Sequence, residues 1–312
     1  MSFETQSFEL PQPPLFSRST IDRAGELRGN HGAATVGWDH ARVLLIDGSG
    51  RFGVDEAQGG LRWLPGPQVA DGPPDDAVLL GVDEEAMLWA RRVPEIAEPI
   101  ADARMAGHHL GADDAGLLVT ALGMLNWTDN AEFSPTTGAP TRIEKSGWVR
   151  RDRSCGREEF PRTDPAIITV VHDGGDRILL GRQAMWPDKW YSTLAGFVEP
   201  GESLEQCVIR EVREEVGITV TQPRYLGSQP WPFPRSLMIG FAALGDPDEP
   251  LAFLDGEIAD AQWFTREQVR TALSGAEWTD PVNGDDAPPA PLRLPGSVSI
   301  ARAMVEAWAA AD

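Results

Sequence analysis

Between Gly196 and Ile218 the chain reads G-F-V-E-P-G-E-S-L-E-Q-C-V-I-R-E-V-R-E-E-V-G-I. Ser203 with Gln206 three residues on forms a capping box, and Gly217 suits the residue that ends a helix, so a helix is expected from about Ser203 to Val216. At ~100° per residue, Glu211, Glu214 and Glu215 share one stripe, and Val208, Val212 and Val216 share another roughly 120° away. The valines can anchor the helix to a core while the carboxylates leave together from one edge. Like charges at these spacings destabilise a helix by about 0.2–0.5 kcal/mol per pair. A hard divalent cation with oxygen ligands would relieve that repulsion, and Mg²⁺ typically takes one or two carboxylates plus substrate phosphate. Arg210, four residues before Glu214, is placed to orient it. Three glutamates alone read more plainly as a solvated acidic face.

The flanking residues change that balance. Gly196, Glu202, Arg210, Glu211, Glu214, Glu215 and Gly217, with aliphatic Val212 and Ile218, fill every fixed position of G-x5-E-x7-R-E-U-x-E-E-x-G-U, where U is aliphatic. The segment resembles the Nudix box. That resemblance implies a sandwich of mixed and antiparallel sheet between helices, and Mg²⁺- or Mn²⁺-dependent hydrolysis of a nucleoside diphosphate linked to another group. By the same likeness Glu211, Glu214 and Glu215 are catalytic carboxylates and metal ligands, joined by the Ala195 carbonyl. Such a metal neutralises pyrophosphate and lowers the pKa of an attacking water. Which glutamate serves as base stays open.

Further along stands Ser228-Gln229-Pro230-Trp231-Pro232-Phe233-Pro234-Arg235-Ser236. Alternating prolines fix φ and remove backbone donors, which predicts a stiff extended segment holding Trp231 and Phe233 on a preset line for base stacking. Gln229 and Ser236 can hydrogen-bond a phosphate or ribose. A Pro-rich core turn burying two aromatics is the competing reading. The motif S-Q-P-W-P-F-P-x-S resembles the hallmark of the NADH pyrophosphatase branch of Nudix hydrolases, and assigns Gln229, Pro230, Trp231, Pro232, Phe233, Pro234, Arg235 and Ser236 to the substrate. The likeness further implies that Glu257 binds metal, that Phe197 stacks on the nucleotide, and that Ala301 touches substrate. Phe160 falls where the branch has an aromatic reaching substrate across a homodimer, and Arg104 near an arginine of the N-terminal domain.

Composition sets the outer limits. The 312 residues hold 48 Asp+Glu against 27 Lys+Arg, a net charge of −21. That argues against non-specific nucleic-acid binding and against a peripheral anchor on an anionic membrane. Two cysteines, Cys155 and Cys207, exclude a disulfide scaffold. The first residues lack a basic stretch followed by an apolar one, and no apolar run approaches ~18 residues, so a cytoplasmic protein without membrane partners is expected.

Three segments follow from the turn signals. Residues 1–125 read as a β-rich N-terminal domain: an extended arm of about thirty residues, short strands from Ala34 to Val93, and a helix capped by Asp113 or Asp114. Residues 126–162 form a polar, turn-rich module. Residues 163–312 form the Nudix domain, with a hairpin turn at Asp173–Asp176, a Pro/Asp-rich loop from Trp278 to Pro295 and a closing helix over about Ser297–Ala310. The fold class is therefore α+β. Relatives place a zinc ribbon in the middle segment, C-x2-C, fourteen residues, C-x2-C. Here the four positions are Ser134, Thr137, Asp152 and Cys155. One thiolate and one carboxylate do not make a structural Zn²⁺ site, so no zinc is expected, and the degenerate ribbon should hold through packing around Trp148, Phe133 and Phe160. Gly147 stands where relatives can carry a glutamate near substrate.

The reading is a Mg²⁺/Mn²⁺-dependent NAD(H) diphosphatase giving AMP and nicotinamide mononucleotide, which can also accept NAD-capped RNA 5′ ends. The alternatives are a hydrolase of ADP-ribose or another dinucleotide, and a non-catalytic nucleotide-binding regulator.

Overall fold

The computed structural model describes residues 7–253, 256–275 and 292–311. The chain forms two compact units. One comprises Met1–Leu15, Asp164–Gln229 and Leu237–Asp312, and the other Phe16–Thr163 with Pro230–Ser236.

In the second unit, helix α1 (His31–Gly37) precedes strands β1 (Arg42–Asp47), β2 (Phe52–Asp55), β3 (Gly60–Leu61) and β4 (Trp63–Pro65). Then come α2 (Gly66–Val69), β5 (Val78–Val82), β6 (Met87–Val93), β7 (Ile100–Ala101), α3 (Ala103–Ala106) and α4 (Ala112–Asn130). The sheet runs β3-β2-β1-β6-β5, with β4 on β1 and β7 on β2, and β1 parallel to β6. The β-rich expectation needs one correction at α1: the Asn30 side chain accepts from Ala33 N at 3.0 Å and starts a helix inside the segment read as arm and strand. A second concerns α4. Its N-cap is Gly111, with no side-chain bond. Asp113 and Asp114 lie inside the first turn and reach outward instead, Asp113 Oδ1 to Thr20 N at 2.7 Å and Asp114 Oδ2 to Leu61 N at 3.0 Å. Their charges still favour the positive helix end.

Strands β8 (Thr141–Glu144), β9 (Val149–Asp152) and β10 (Glu158–Glu159) make a separate antiparallel sheet in the same unit. The expected packing around Phe133 and Phe160 is not found; they are 60% and 50% exposed. Trp148 does anchor the module. Its Nε1 donates to Leu79 O at 2.7 Å, and Arg28 lies 3.5 Å over its ring. Asp152 organises the two turns. It accepts from Thr137 Oγ1, from Ser154 Oγ at 2.6 Å and from the Ser154 and Cys155 N–H groups at 2.7 and 3.2 Å. Three of the four positions aligned with zinc ligands thus join through hydrogen bonds. Ser134, the fourth, stays in its own turn and accepts from Thr136 N at 3.3 Å. A side chain at Gly147 would collide with Val78, its Cβ 2.7 Å from Val78 Cγ2, so the glutamate of relatives has no room here.

The first unit holds β11 (Asp164–His172), β12 (Arg177–Gln183), β13 (Leu194–Phe197), α5 (Leu204–Val216), β14 (Val220–Trp231), β15 (Ser236–Gly245), β16 (Ile258–Thr265), α6 (Arg266–Leu273) and α7 (Ile300–Ala310). Its sheet runs β14-β15-β11-β12-β16, with β13 antiparallel to β11. Alternation along β11 splits the core. Ile167 and Val171 face Val208, Val212 and Val216 of α5, while Ile168 and Val170 face Val269 of α6 and Met304, Val305 and Trp308 of α7. This is the expected layering of helix, sheet and helix. Phe8, from the arm, is buried in the second cluster and is held by Arg224 Nη2, which donates to Phe8 O at 2.6 Å. Most of the Trp278–Pro295 loop lies outside the described residues.

Candidate active site

The carboxylate centre begins with the loop from β13 to α5. Ser203 Oγ accepts from Gln206 N and Gln206 Oε1 from Ser203 N, the expected reciprocal cap, and Gly217 closes the helix at φ +81°. The loop is drawn in by Glu202, which accepts from Glu199 N at 2.8 Å. On β13, Ala195 pairs with Ile168 and Gly196 with Ile167.

Arg210 is the hub. Its Nη1 bonds Glu211 Oε1 and Glu214 Oε2, each at 2.9 Å, its Nη2 bonds Glu202 Oε1 at 2.5 Å, and Nη2 also donates to Phe197 O at 2.9 Å. Its bond to Glu202 holds that carboxyl down at about 2. Glu211 is shifted upward instead, first by burial, with Glu214 and Glu257 adding negative field against the pull of Arg210. Glu257 is therefore close enough to be felt. The Glu211 carboxylate lies on the Gly196 backbone, where a Cβ would fall 1.9 Å from its Cδ.

The expected single edge of carboxylates is corrected in one respect. Glu215 is 3% exposed, whereas the Glu214 side chain is 52% exposed. The reason is the period: Glu215 lies seven residues after Val208 and three after Val212, on the core stripe. Among the described residues no three His, Cys, Asp or Glu side chains converge as a formed metal centre. The donors do fit a hard cation: all are oxygens, Glu211 sits in a cradle only glycine leaves open, and Arg210 supplies the positive charge that a cation would share.

The substrate-motif residues separate into two groups. The segment expected to be extended folds back instead: β14 ends at Trp231, residues 232–235 turn, and β15 begins at Ser236. Phe233 N donates to Trp231 O at 2.8 Å, and the two rings meet edge to face at 5.0 Å. Arg104 lies 4.4 Å over Phe233. Pro230, Trp231, Phe233 and Ser236 are half-buried, Pro234 and Arg235 exposed, and Pro232 buried. Gln229 is fully buried and donates from Nε2 to Val298 O at 3.0 Å. Ala301 is likewise buried in the α7 core cluster. Phe197, at 58% exposure, presents an open ring. The tip also has a neighbour that the sequence did not single out, Asn126 on α4, bonded to the Pro232 and Pro234 carbonyls. No local signal marks it.

A helix carrying this box behind a glycine-bearing strand, on a sheet layered between helices, is a Nudix domain, and residues 162–282 match the family described as "NUDIX domain". The chain is 49% identical over 313 residues to the NAD-capped RNA hydrolase NudC of Mycobacterium bovis, covering 98% of this chain and 97% of that protein. The NAD-capped RNA hydrolase NudC of Mycobacterium tuberculosis is similar to the same extent, 49% with the same coverage. The human NAD-capped RNA hydrolase NUDT12 is 42% identical over 173 residues, 52% of this chain and 37% of its own length. The chain belongs to the NADH pyrophosphatase branch of the Nudix hydrolases.

Proposed function

We propose that the chain hydrolyses the pyrophosphate of NAD(H) to AMP and nicotinamide mononucleotide, and removes NAD from the 5′ ends of capped RNA. The observation that carries this is the complete Nudix box, built with Glu211 lying on Gly196, in a chain 49% identical to NAD-capped RNA hydrolases over 98% of its length. In the reaction a water oxygen bonds one phosphorus, the bridging P–O bond breaks, and the proton of water leaves to a base.

Glu211, Glu214, Glu215 and Glu257, with the Ala195 carbonyl, would hold Mg²⁺ or Mn²⁺. The metal would neutralise the pyrophosphate and lower the pKa of the attacking water. Arg210 fixes the rotamers of Glu211 and Glu214, and Glu215 is locked by burial in the α5 core face. Glu214, the most exposed of the three, is best placed to take a proton. Phe197 supplies an open aromatic ring for a base. Trp231 and Phe233 are the aromatics of the proposed substrate-binding motif in their own unit. With Gln229 and Ala301 committed to the core, their part is to support the hairpin and α7.

Phe160, half exposed on the three-stranded module, agrees with a homodimer in which it reaches the partner's substrate. Among the described residues no helix is long and apolar enough to cross a membrane, and both cysteines are free thiols, as in a reducing cytoplasm.

The test is incubation with NADH and with 5′-NAD RNA in Mg²⁺ or Mn²⁺, with products identified by chromatography. AMP with the reduced mononucleotide, and 5′-monophosphate RNA, are expected, and Glu215→Gln should abolish both. Turnover of ADP-ribose in preference to NADH would move the chain to the alternative substrate class.

A further inference from the structure

The Asn126 side chain fastens the turn at residues 232–235. Asn126 Nδ2 donates to Pro232 O at 3.0 Å and to Pro234 O at 3.2 Å. These carbonyls flank Phe233, so the backbone is pinned on both sides of that ring. Asn126 Oδ1 accepts from Arg92 Nη2 at 2.8 Å, which decides the end of the carboxamide that faces the tip. Arg92 is itself fixed, by Asp129 Oδ2 at 2.9 Å and by Asp47 O, to which its Nη1 donates at 2.7 Å. One turn earlier on α4, Gly123 faces the Pro232 ring: a Cβ there would lie 3.9 Å from Pro232 Cβ. Both amide donors of Asn126 are thus spent on the protein, which rules out a direct ligand role for them.

We propose that Asn126, oriented by Arg92, is a positioning residue that sets the affinity of the aromatic tip for the nucleoside part of the dinucleotide, an inference that rests on the hydrolase reading above. Stacking on Phe233 and Trp231 needs the ring planes held before the ligand arrives. A tip free to rock must be ordered on binding, and that ordering is subtracted from affinity. Asn126 removes the cost in advance. Because its side-chain bonds go to Pro232, Pro234 and Arg92, its loss shows in binding and leaves the chemical step alone.

Asn126→Asp is the sharpest variant. It keeps the size and the partner Arg92 but turns a carboxylate oxygen toward two carbonyl oxygens. Full-length wild type, Asn126→Asp, Asn126→Ala and Arg92→Lys are compared by KM and kcat for NADH in saturating Mn²⁺, and by the Kd for AMP in EDTA. Asn126→Asp should raise KM and Kd about tenfold, the scale of losing two neutral hydrogen bonds, with kcat held within about twofold. Arg92→Lys, which keeps the charge near Asp129 but loses the fork, should fall between wild type and Asn126→Asp. Unchanged KM and Kd in Asn126→Asp, or a fall in kcat at constant KM, overturns the proposal. If Asn126→Ala does not fold, Asn126→Asp decides. A wild type that binds AMP but leaves NADH intact refutes the hydrolase reading, while the AMP titration of the variants still judges Asn126.

Discussion

The carboxylate of Glu211 occupies the place where a side chain on Gly196 would be: a Cβ there would stand 1.9 Å from Glu211 Cδ and 2.1 Å from its Oε1. Gly196 lies in a regular antiparallel pair with Ile167 and has no left-handed φ, so alanine suits its backbone. The conflict is with Glu211 alone. Gly196→Ala should therefore keep the fold and move the carboxylate by an ångström or so, lowering kcat/KM for NADH about 100-fold. Activity within a few-fold of wild type, in a protein of normal Tm, would contradict this role for the glycine.

Arg210 stands in for a cation among Glu202, Glu211 and Glu214. Arg210→Ala removes several charge-assisted bonds and leaves carboxylates crowded, at a cost of roughly 2 kcal/mol. Mg²⁺ or Mn²⁺ should recover part of that loss, because a bound cation stabilises the folded state by mass action. The measurement is Tm in EDTA and in excess metal, where the deficit of Arg210→Ala should shrink with metal. An equal deficit in both buffers would mean that Arg210 and the metal do not serve the same carboxylates.

What was legible in the sequence follows the range of the interactions. The Ser203–Gln206 cap, the Gly217 end and the Val208/Val212/Val216 stripe depend on neighbours within a turn or two, and the structure repeats them. The burial of Glu215 is not legible, because 214 and 215 are one residue apart: a broad acidic stripe and a core position look alike until the partner sheet is known. The proline motif misled for a similar reason. Each proline favours extension locally, but Asn126, 106 residues earlier, fastens a turn there. Gln229 reads as an exposed polar residue until Val298 closes over it. No periodicity reports such pairings.

Burial holds the His172 imidazole down at about 4, assisted by Arg224 and Arg266 and opposed by Asp173. The ring is neutral in the fold, its Nδ1 accepts from Gly174 N at 3.2 Å, and Phe8 meets it edge to face at 5.7 Å. In the unfolded chain the same group titrates near 6.5. The unfolded state thus binds the extra proton first, so the contribution is complete above about pH 6.5 and fades as pH falls toward 4, reaching about 3 kcal/mol. Urea titrations at pH 7 and pH 4.5 should show this loss in wild type and a shallower one in His172→Phe. Parallel pH slopes in the two proteins would exclude the histidine as the cause.

In the middle module one carboxylate gathers the bonds of two turns. Asp152, 1% exposed, accepts from Thr137, Ser154 and Cys155, and these bonds hold its carboxyl well below the usual aspartate range. A single ionised acceptor thereby ties the two turns together. Asp152→Ala should lower Tm, Thr137→Ala should do so less, and added zinc should restore neither. Replacing Ser134, Thr137 and Asp152 together by cysteine, with Cys155 already present, should create a site that takes up one zinc per chain and regains the lost Tm. If wild type itself carries stoichiometric zinc, the carboxylate is a ligand, and the hydrogen-bonded clamp is the wrong account of this module.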